Sequence, residues 1–193
     1  MANNAATTKA DLLDALRSSR DELITKLRAL PAAAFDEGRY ESGWNGHDIL
    51  AHVAAIEWTY VRLLDVAKAA PGEGAAHATT AGAAPAEVRR TTPEETAGLP
   101  TRTAQGGIDS YNARMVEKRR DASIDDLLAE FAKNRDATIA AIEAADETLL
   151  QTPIRSAGGI TGPLAAVIRA VAVEHVLGHA ADIAGEPAGG GRR

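Results

Sequence analysis

Apolar residues recur at helical spacing in several long stretches of the chain, and nowhere do they alternate over a run long enough for a half-buried strand. Leu12, Leu16, Leu23, Leu27 and Leu30 follow one another at intervals of three, four and seven. Thr8 and Asp11 form a capping pair ahead of them and Pro31 closes the segment, so a first helix is expected from just after Thr8 up to Pro31. The next stretch, AAAFDEGRYESGW, keeps no period and reads as a connection that tucks Phe35 and Trp44 under neighbouring helices. Asn45, with Asp48 three residues on, caps a second helix expected to reach about Lys68. On it Ile49, His52, Ile56 and Leu63 fall within about 60° of one another, while Glu57 and Leu64 point well round the cylinder.

From Pro71 to Pro100 the chain is dense in Gly, Pro, Thr and Ala, with at most one short helical turn around Ala86 to Arg90. A loop of this length is expected to be a mobile segment or a cover over a site. Helical spacing returns with Ile108, Tyr111, Met115 and Arg119 and breaks at Asp121 to Ser123. It resumes behind the capping pair Ser123 and Asp126 with Leu127, Phe131, Thr138, Ile142 and Ala145, ending near Asp146. ETLLQTPIRSAGGIT reads as a further connection, with Thr161 as N-cap of a last helix from about Pro163 to Ile183 that stops at Gly185. Taking the broken stretch 108–146 as one element leaves four. The expectation is an all-α four-helix bundle over residues 1–186, with a long irregular connection between helices two and three and a flexible tail at 187–193.

Composition supports this. Aromatic residues are 4% of the 193 and Ala is about a fifth, which favours helices with thin side-chain layers over a β-sandwich. Charge removes some partners: 21 Lys and Arg against 27 Asp and Glu give −6, and the cations are scattered, so nucleic-acid binding is not expected. No apolar run reaches the roughly 18 to 20 residues of a membrane span, and the first residues lack the layout of a signal peptide. No membrane association is expected, and a cytoplasmic location is. With no cysteine there is no disulfide, thiolate metal site or thiol nucleophile, so any metal must be held by His and carboxylates.

The chemistry concentrates on the last helix. Its apolar positions Leu164, Ile168 and Val171, continued at the same spacing, lead to His175, then Gly178 or His179, then Asp182. Two His four apart share a helix face and can converge on one ion, although such a pair is also satisfied by hydrogen bonds or by water at a helix end. His52, on the inward face of the second helix, adds a third imidazole, which completes the protein shell of a catalytic-type site. His47 and His77 read as solvated. Glu57, on the wrong face to join His52, reads as a partner for Arg on a neighbouring helix. Trp44 reads as a plug at a helix entrance. Asp48 and Asp182 each have two readings, a helix-terminal charge or an acceptor for an imidazole N–H. Asn112 is a candidate polar group beside a substrate, against a structural hydrogen bond, and Tyr60 and Tyr111 are candidates to donate to an oxyanion, against space-filling. GGIDSY and AGGITGP fit no nucleotide fingerprint.

The run GWNGHDILAHVAAIEW (43–58) resembles the helix-two signature of the DinB-like (YfiT-like) superfamily, a W-x-x-x-D-x-x-x-H pattern ahead of an E-W pair. EHVLGHAADI (174–183) is similar to that superfamily's last-helix H-x-x-x-H with a trailing Asp-Ile, and IDSYNARMVEKRR between them is similar to its D-x-x-N-x-R segment. The resemblance covers about residues 9–184 and is more specific for fold than for reaction. It implies a four-helix bundle holding a divalent ion, usually zinc or nickel, on His52, His175 and His179. Relatives include mycothiol- and bacillithiol-dependent transferases and maleylpyruvate isomerase, so it also implies a low-molecular-weight thiol as cosubstrate and a homodimer. In the isomerase branch the first of the paired ligands is a carboxylate, where this chain has His175. The expected activity is S-transfer, isomerisation or hydrolysis of a small electrophile. The alternatives are a non-catalytic, stress-related bundle that binds a metal or small ligand, and a structural bundle with satisfied histidines.

Overall fold

The computed structural model describes residues 7–40, 43–69, 88–92, 94–96, 99–101, 104 and 106–186. Helix α1 is Lys9–Arg28, opened by the Thr8–Asp11 capping box. It buries Leu12, Leu16, Leu23 and Leu27, with Ser19 between them on the same stripe. A short α2, Ala33–Asp36, drops Phe35 into the core. Helix α3, Gly46–Glu57, starts at a second capping box formed by Asn45 and Asp48. A side chain at Gly46 would put its Cβ 2.8 Å from the Ala34 carbonyl oxygen, so the glycine lets α3 seat directly on α2.

The second helix is not continuous to Lys68. The chain turns at Trp58 to Tyr60 and restarts as α4, Val61–Lys68. Every α3 residue from Ile49 to Glu57 is buried, which makes α3 the central rod of the bundle rather than an amphipathic surface helix. Helix α5, Ile108–Glu117, packs on α3. Helix α6, Ile124–Glu143, opens at the Ser123–Asp126 box and packs on α1 and α3. After the short α7, Glu147–Leu150, the last helix α8 covers Leu164–Ile183 and lies on α1 and α3. The long rods α1, α3, α6 and α8 make the expected four-helix bundle.

Further expectations change. The connection before α8 contains two strands, β2 (Pro153–Arg155) and β3 (Ile160–Pro163), and Arg89–Arg90 forms β1 on the other side of β3. Strands of two to four residues carrying Pro and Gly leave no alternation to read, and in place of a helical turn Arg89 and Arg90 are extended. Thr161 therefore is not a helix cap: it lies in β3, and its hydroxyl meets that of Thr91 at 2.6 Å in the interior. Finally, α8 is long and apolar enough to span a membrane by length and composition, which the reading of apolar runs had excluded; its contacts with α1 and α3 make it a core helix of the bundle. His77, most of the loop from Pro71 onward and the tail at 187–193 lie outside the described residues.

Among the described residues the interior has one charged centre. Arg135 stands on the α6 stripe between Phe131 and Thr138, and both it and Glu57 are 0% exposed. Its Nε donates to Glu57 Oε1 at 2.6 Å and its Nη2 to Oε2 at 3.0 Å. Nη1 donates to the Leu16 carbonyl at 3.1 Å and to Ser19 Oγ at 2.8 Å, and Nη2 also donates to the Ala172 carbonyl. All five guanidinium protons thus have acceptors, from α1, α3 and α8. The Arg partner expected for Glu57 is this one.

Candidate metal centre

Helix α8 carries the pair of histidines, and its backbone decides where they face. Residues Arg169–Glu174 form a π-helical turn, in which the His175 N–H donates to the Ala170 carbonyl five residues back. Such a turn amounts to one residue inserted into an α-helix. Extended at α-helical spacing, the stripe from Leu164 and Ile168 would run through Val171, His175 and His179. The buried residues are instead Ala172, Val173, Val176, Ala180 and Ile183. A step of one residue, about 100° of rotation, moves the two imidazoles off the centre of the core stripe to its edge. His175 is exposed and His179 half-buried there.

His52 faces them from the middle of α3, 5% exposed. The three rings meet edge to face: centroids lie 6.0 Å apart for His52 and His175, 5.3 Å for His52 and His179, and 4.3 Å for His175 and His179. One nitrogen from each ring lies within 4.8 Å of the other two. The Nε2 atoms of His175 and His179 are 3.1 Å apart. Two nitrogens held at about 2.0 to 2.1 Å by one tetrahedral ion stand roughly 3.3 to 3.4 Å from each other, so the observed pair, at hydrogen-bonding distance, lies within a few tenths of an ångström of ligand spacing. His52 Nδ1 is buried with no hydrogen-bond partner among the described residues, the kind of orphaned donor or acceptor that a polar interior otherwise avoids.

Electrostatics keep two of the rings, His52 and His175, neutral. Burial lowers the His52 imidazole to about 3, helped by the neighbouring His179 and His175. His175 is lowered to about 4, first by desolvation, then by His179 and Arg90, with Asp182 opposing; its exposed side screens that shift. A neutral imidazole offers a lone pair, which is what a cation needs.

Behind His179 stands a second layer of contacts. Its Nδ1 is 2.9 Å from the Tyr40 hydroxyl oxygen and 3.4 Å from Asp182 Oδ2, and the Tyr40 O–H donates to the same carboxylate oxygen. With Nδ1–H donating to Tyr40, the lone pair falls on Nε2, the atom that faces His175. Burial and the Asp182 hydrogen bond both raise the Tyr40 phenol, so it stays protonated. The His179 contact is the largest cause that lowers the Asp182 carboxyl, with desolvation opposing and Tyr40 helping. Asp182 thus holds the imidazole contact that was one of its two readings. Tyr40 was missed because it lies in an aperiodic connection; Gly38 bridges Asn45, and the Arg39 N–H donates to the Trp44 carbonyl at 2.9 Å, which folds that connection back on itself.

The remaining candidates separate. Trp44 lies 5.2 Å from the His52 ring, so the plug is also a wall of the site. Asp48 is engaged in the capping box, its Oδ2 accepting from the Asn45 N–H at 3.2 Å, and among the described residues it has no hydrogen bond to an imidazole. That corrects its second reading: the helix start consumes the carboxylate. Tyr60, a candidate substrate contact, is buried and donates its hydroxyl to the Val171 carbonyl at 2.6 Å, so its proton is already committed within the bundle. Asn112 is half-buried on α5, with Oδ1 buried and no partner among the described residues, and the Tyr111 hydroxyl is in the same condition. His47, read as solvated, is half-buried, and its Nε2 lies 2.8 Å from the Ala122 carbonyl oxygen, tying α3 to the turn before α6.

No curated protein and no solved structure matches the chain. A family model does, over residues 39–183, a span that begins at the residue before Tyr40 and ends just after Asp182, enclosing all three histidines. With that match over well more than half its length, on a helical bundle whose histidines converge where the sequence motifs place them, the chain belongs to the DinB superfamily.

Proposed function

We propose that the protein is a cytoplasmic metal-dependent enzyme in which His52, His175 and His179 hold a divalent ion, zinc or nickel, and a thiol or water is activated for attack on a small electrophile. The observation that carries the reading is the 3.1 Å approach of two Nε2 atoms opposite a buried, neutral His52. Three neutral nitrogen donors suit a borderline cation and leave a coordination position open. Such an ion supplies Lewis acidity, which makes a thiol or water acidic near neutral pH. The chain's own part is to keep His52 and His175 unprotonated, to fix the His179 tautomer through Tyr40 and Asp182, and to leave His175 open to the solvent side. Asn112, whose buried oxygen has no partner among the described residues, is the side chain we assign to substrate contact. The reading also takes a low-molecular-weight thiol as cosubstrate and a homodimer as the working form.

The test begins with elemental analysis of untagged protein reconstituted with zinc or nickel, beside His52→Ala and His175→Ala. One equivalent in the wild type and none in the variants is expected; near-zero metal in the wild type ends the reading. Loaded protein is then offered a panel of electrophiles with and without each cellular thiol. Turnover that needs a thiol assigns S-transfer or isomerisation, and turnover without one assigns hydrolysis. Metal binding with no turnover on any electrophile makes the bundle a binder instead.

A further inference from the structure

We infer that Tyr60 and Arg135 are positioning residues that clamp the π turn of α8 and thereby set the direction in which His175 and His179 face. Where the ladder of α8 returns from five-residue to four-residue bonding, just after the His175 N–H has reached back to Ala170, a carbonyl is skipped. The two carbonyls at that point are Val171 and Ala172. Each accepts a hydrogen bond from a side chain on another part of the bundle: Val171 from the Tyr60 hydroxyl at 2.6 Å, Ala172 from Arg135 Nη2. Tyr60 comes from the break between α3 and α4, and Arg135 from the centre of α6, where Glu57 grips its other edge. Both donors are buried, so water does not compete for these carbonyls.

The consequence reaches the site through register. An inserted residue can migrate along a helix, because each neighbouring placement has the same count of backbone bonds. Donors aimed at Val171 and Ala172 favour one placement, immediately before His175. If the insertion sat beyond His179, the pair would lie on the core stripe itself, rotated by about 100° from its present edge position.

The inference rests on the metal reading for its meaning, but its test does not. Zinc affinity is measured by chelator competition, at a temperature where circular dichroism finds each protein folded. In parallel, carbethoxylation of His175 in the metal-free protein is followed by mass spectrometry. Tyr60→Phe, which removes one hydroxyl and no bulk, is expected to lose about tenfold in zinc affinity and to split the single fast modification rate of His175 into two. A purely structural role would lower the unfolding temperature and leave both readouts at wild-type values; that result overturns the inference. If Tyr60→Phe does not fold, Arg135→Lys, which keeps a cation against Glu57 but lacks the donor for Ala172, gives the same two readouts. A wild type that binds no zinc, with His175 still splitting in the variant, removes the metal reading and leaves the clamp. Wild-type zinc binding with both readouts unmoved in the variants removes the clamp alone.

Discussion

Two polar clusters lie in this bundle and they are built on opposite terms. Around Arg135 every donor has an acceptor: Glu57 takes two, and Leu16, Ser19 and Ala172 take one each. Around His52 the interior stays unsatisfied, with a buried ring nitrogen lacking a partner among the described residues and two more imidazoles offering nitrogens within 4.8 Å of one of its own. A closed network rigidifies and spends its chemistry on structure, whereas an open one keeps lone pairs for something not of the chain. Both clusters draw on α3 and α8, so one pair of rods supplies a fixed frame and, next to it, an open site.

The contrast is broken most severely by opening the closed cluster. Arg135→Met should cost about 3 to 5 kcal/mol, because Glu57 is left charged and alone in the core, and adding Glu57→Leu should recover much of it. Urea unfolding of the two variants checks this; equal loss in single and double variants would mean that the ion pair is not the cause. Next in size, His52→Ala should reduce zinc affinity by more than the roughly 10- to 100-fold that losing an outer partner of a ligand costs. Tyr40→Phe should fall within that range, since it removes the hydroxyl that links His179 to Asp182. Chelator competition ranks the two, and a larger effect at Tyr40 than at His52 would reverse their assigned roles.

The smallest effect is on pH dependence. Burial lowers the His52 imidazole to about 3 in the fold, from its ordinary value of about 6.5. Below the unfolded value the unfolded chain takes up a proton that the folded one refuses. The contribution of this ring is therefore full above about pH 6.5 and is lost as pH falls toward about 3. The metal-free protein should lose stability through that window, His52→Ala should lose less, and bound zinc should be released as protons compete for the same nitrogens. A wild type and a His52→Ala variant with superimposable pH profiles would show that this ring does not titrate with folding.

Much of the frame was legible in the linear pattern. The three capping boxes at Thr8, Asn45 and Ser123, the leucine stripe of α1 and the ligand candidates His52, His175 and His179 follow from spacing and from the resemblance carried by the Trp44 to Trp58 and Glu174 to Ile183 motifs. Other features left no such trace. Tyr40 sits in an aperiodic connection, the three short strands are below the length at which alternation can be seen, and the break at Trp58 to Tyr60 interrupts a stretch that reads as one helix.

The sequence by itself determined which residues want the interior, where most helices begin, and that a metal, if there is one, must be held by imidazole and carboxylate. Those are properties of a residue and its near neighbours along the chain. The tertiary structure alone decided that α8 takes in one extra residue, that Arg135 and Tyr60 reach the carbonyls at that point, and that His175 and His179 consequently stand at the edge of the core facing His52. A π turn carries no local signature strong enough to read, because its cost is offset by donors that belong to other helices and that come into reach only once the bundle has closed.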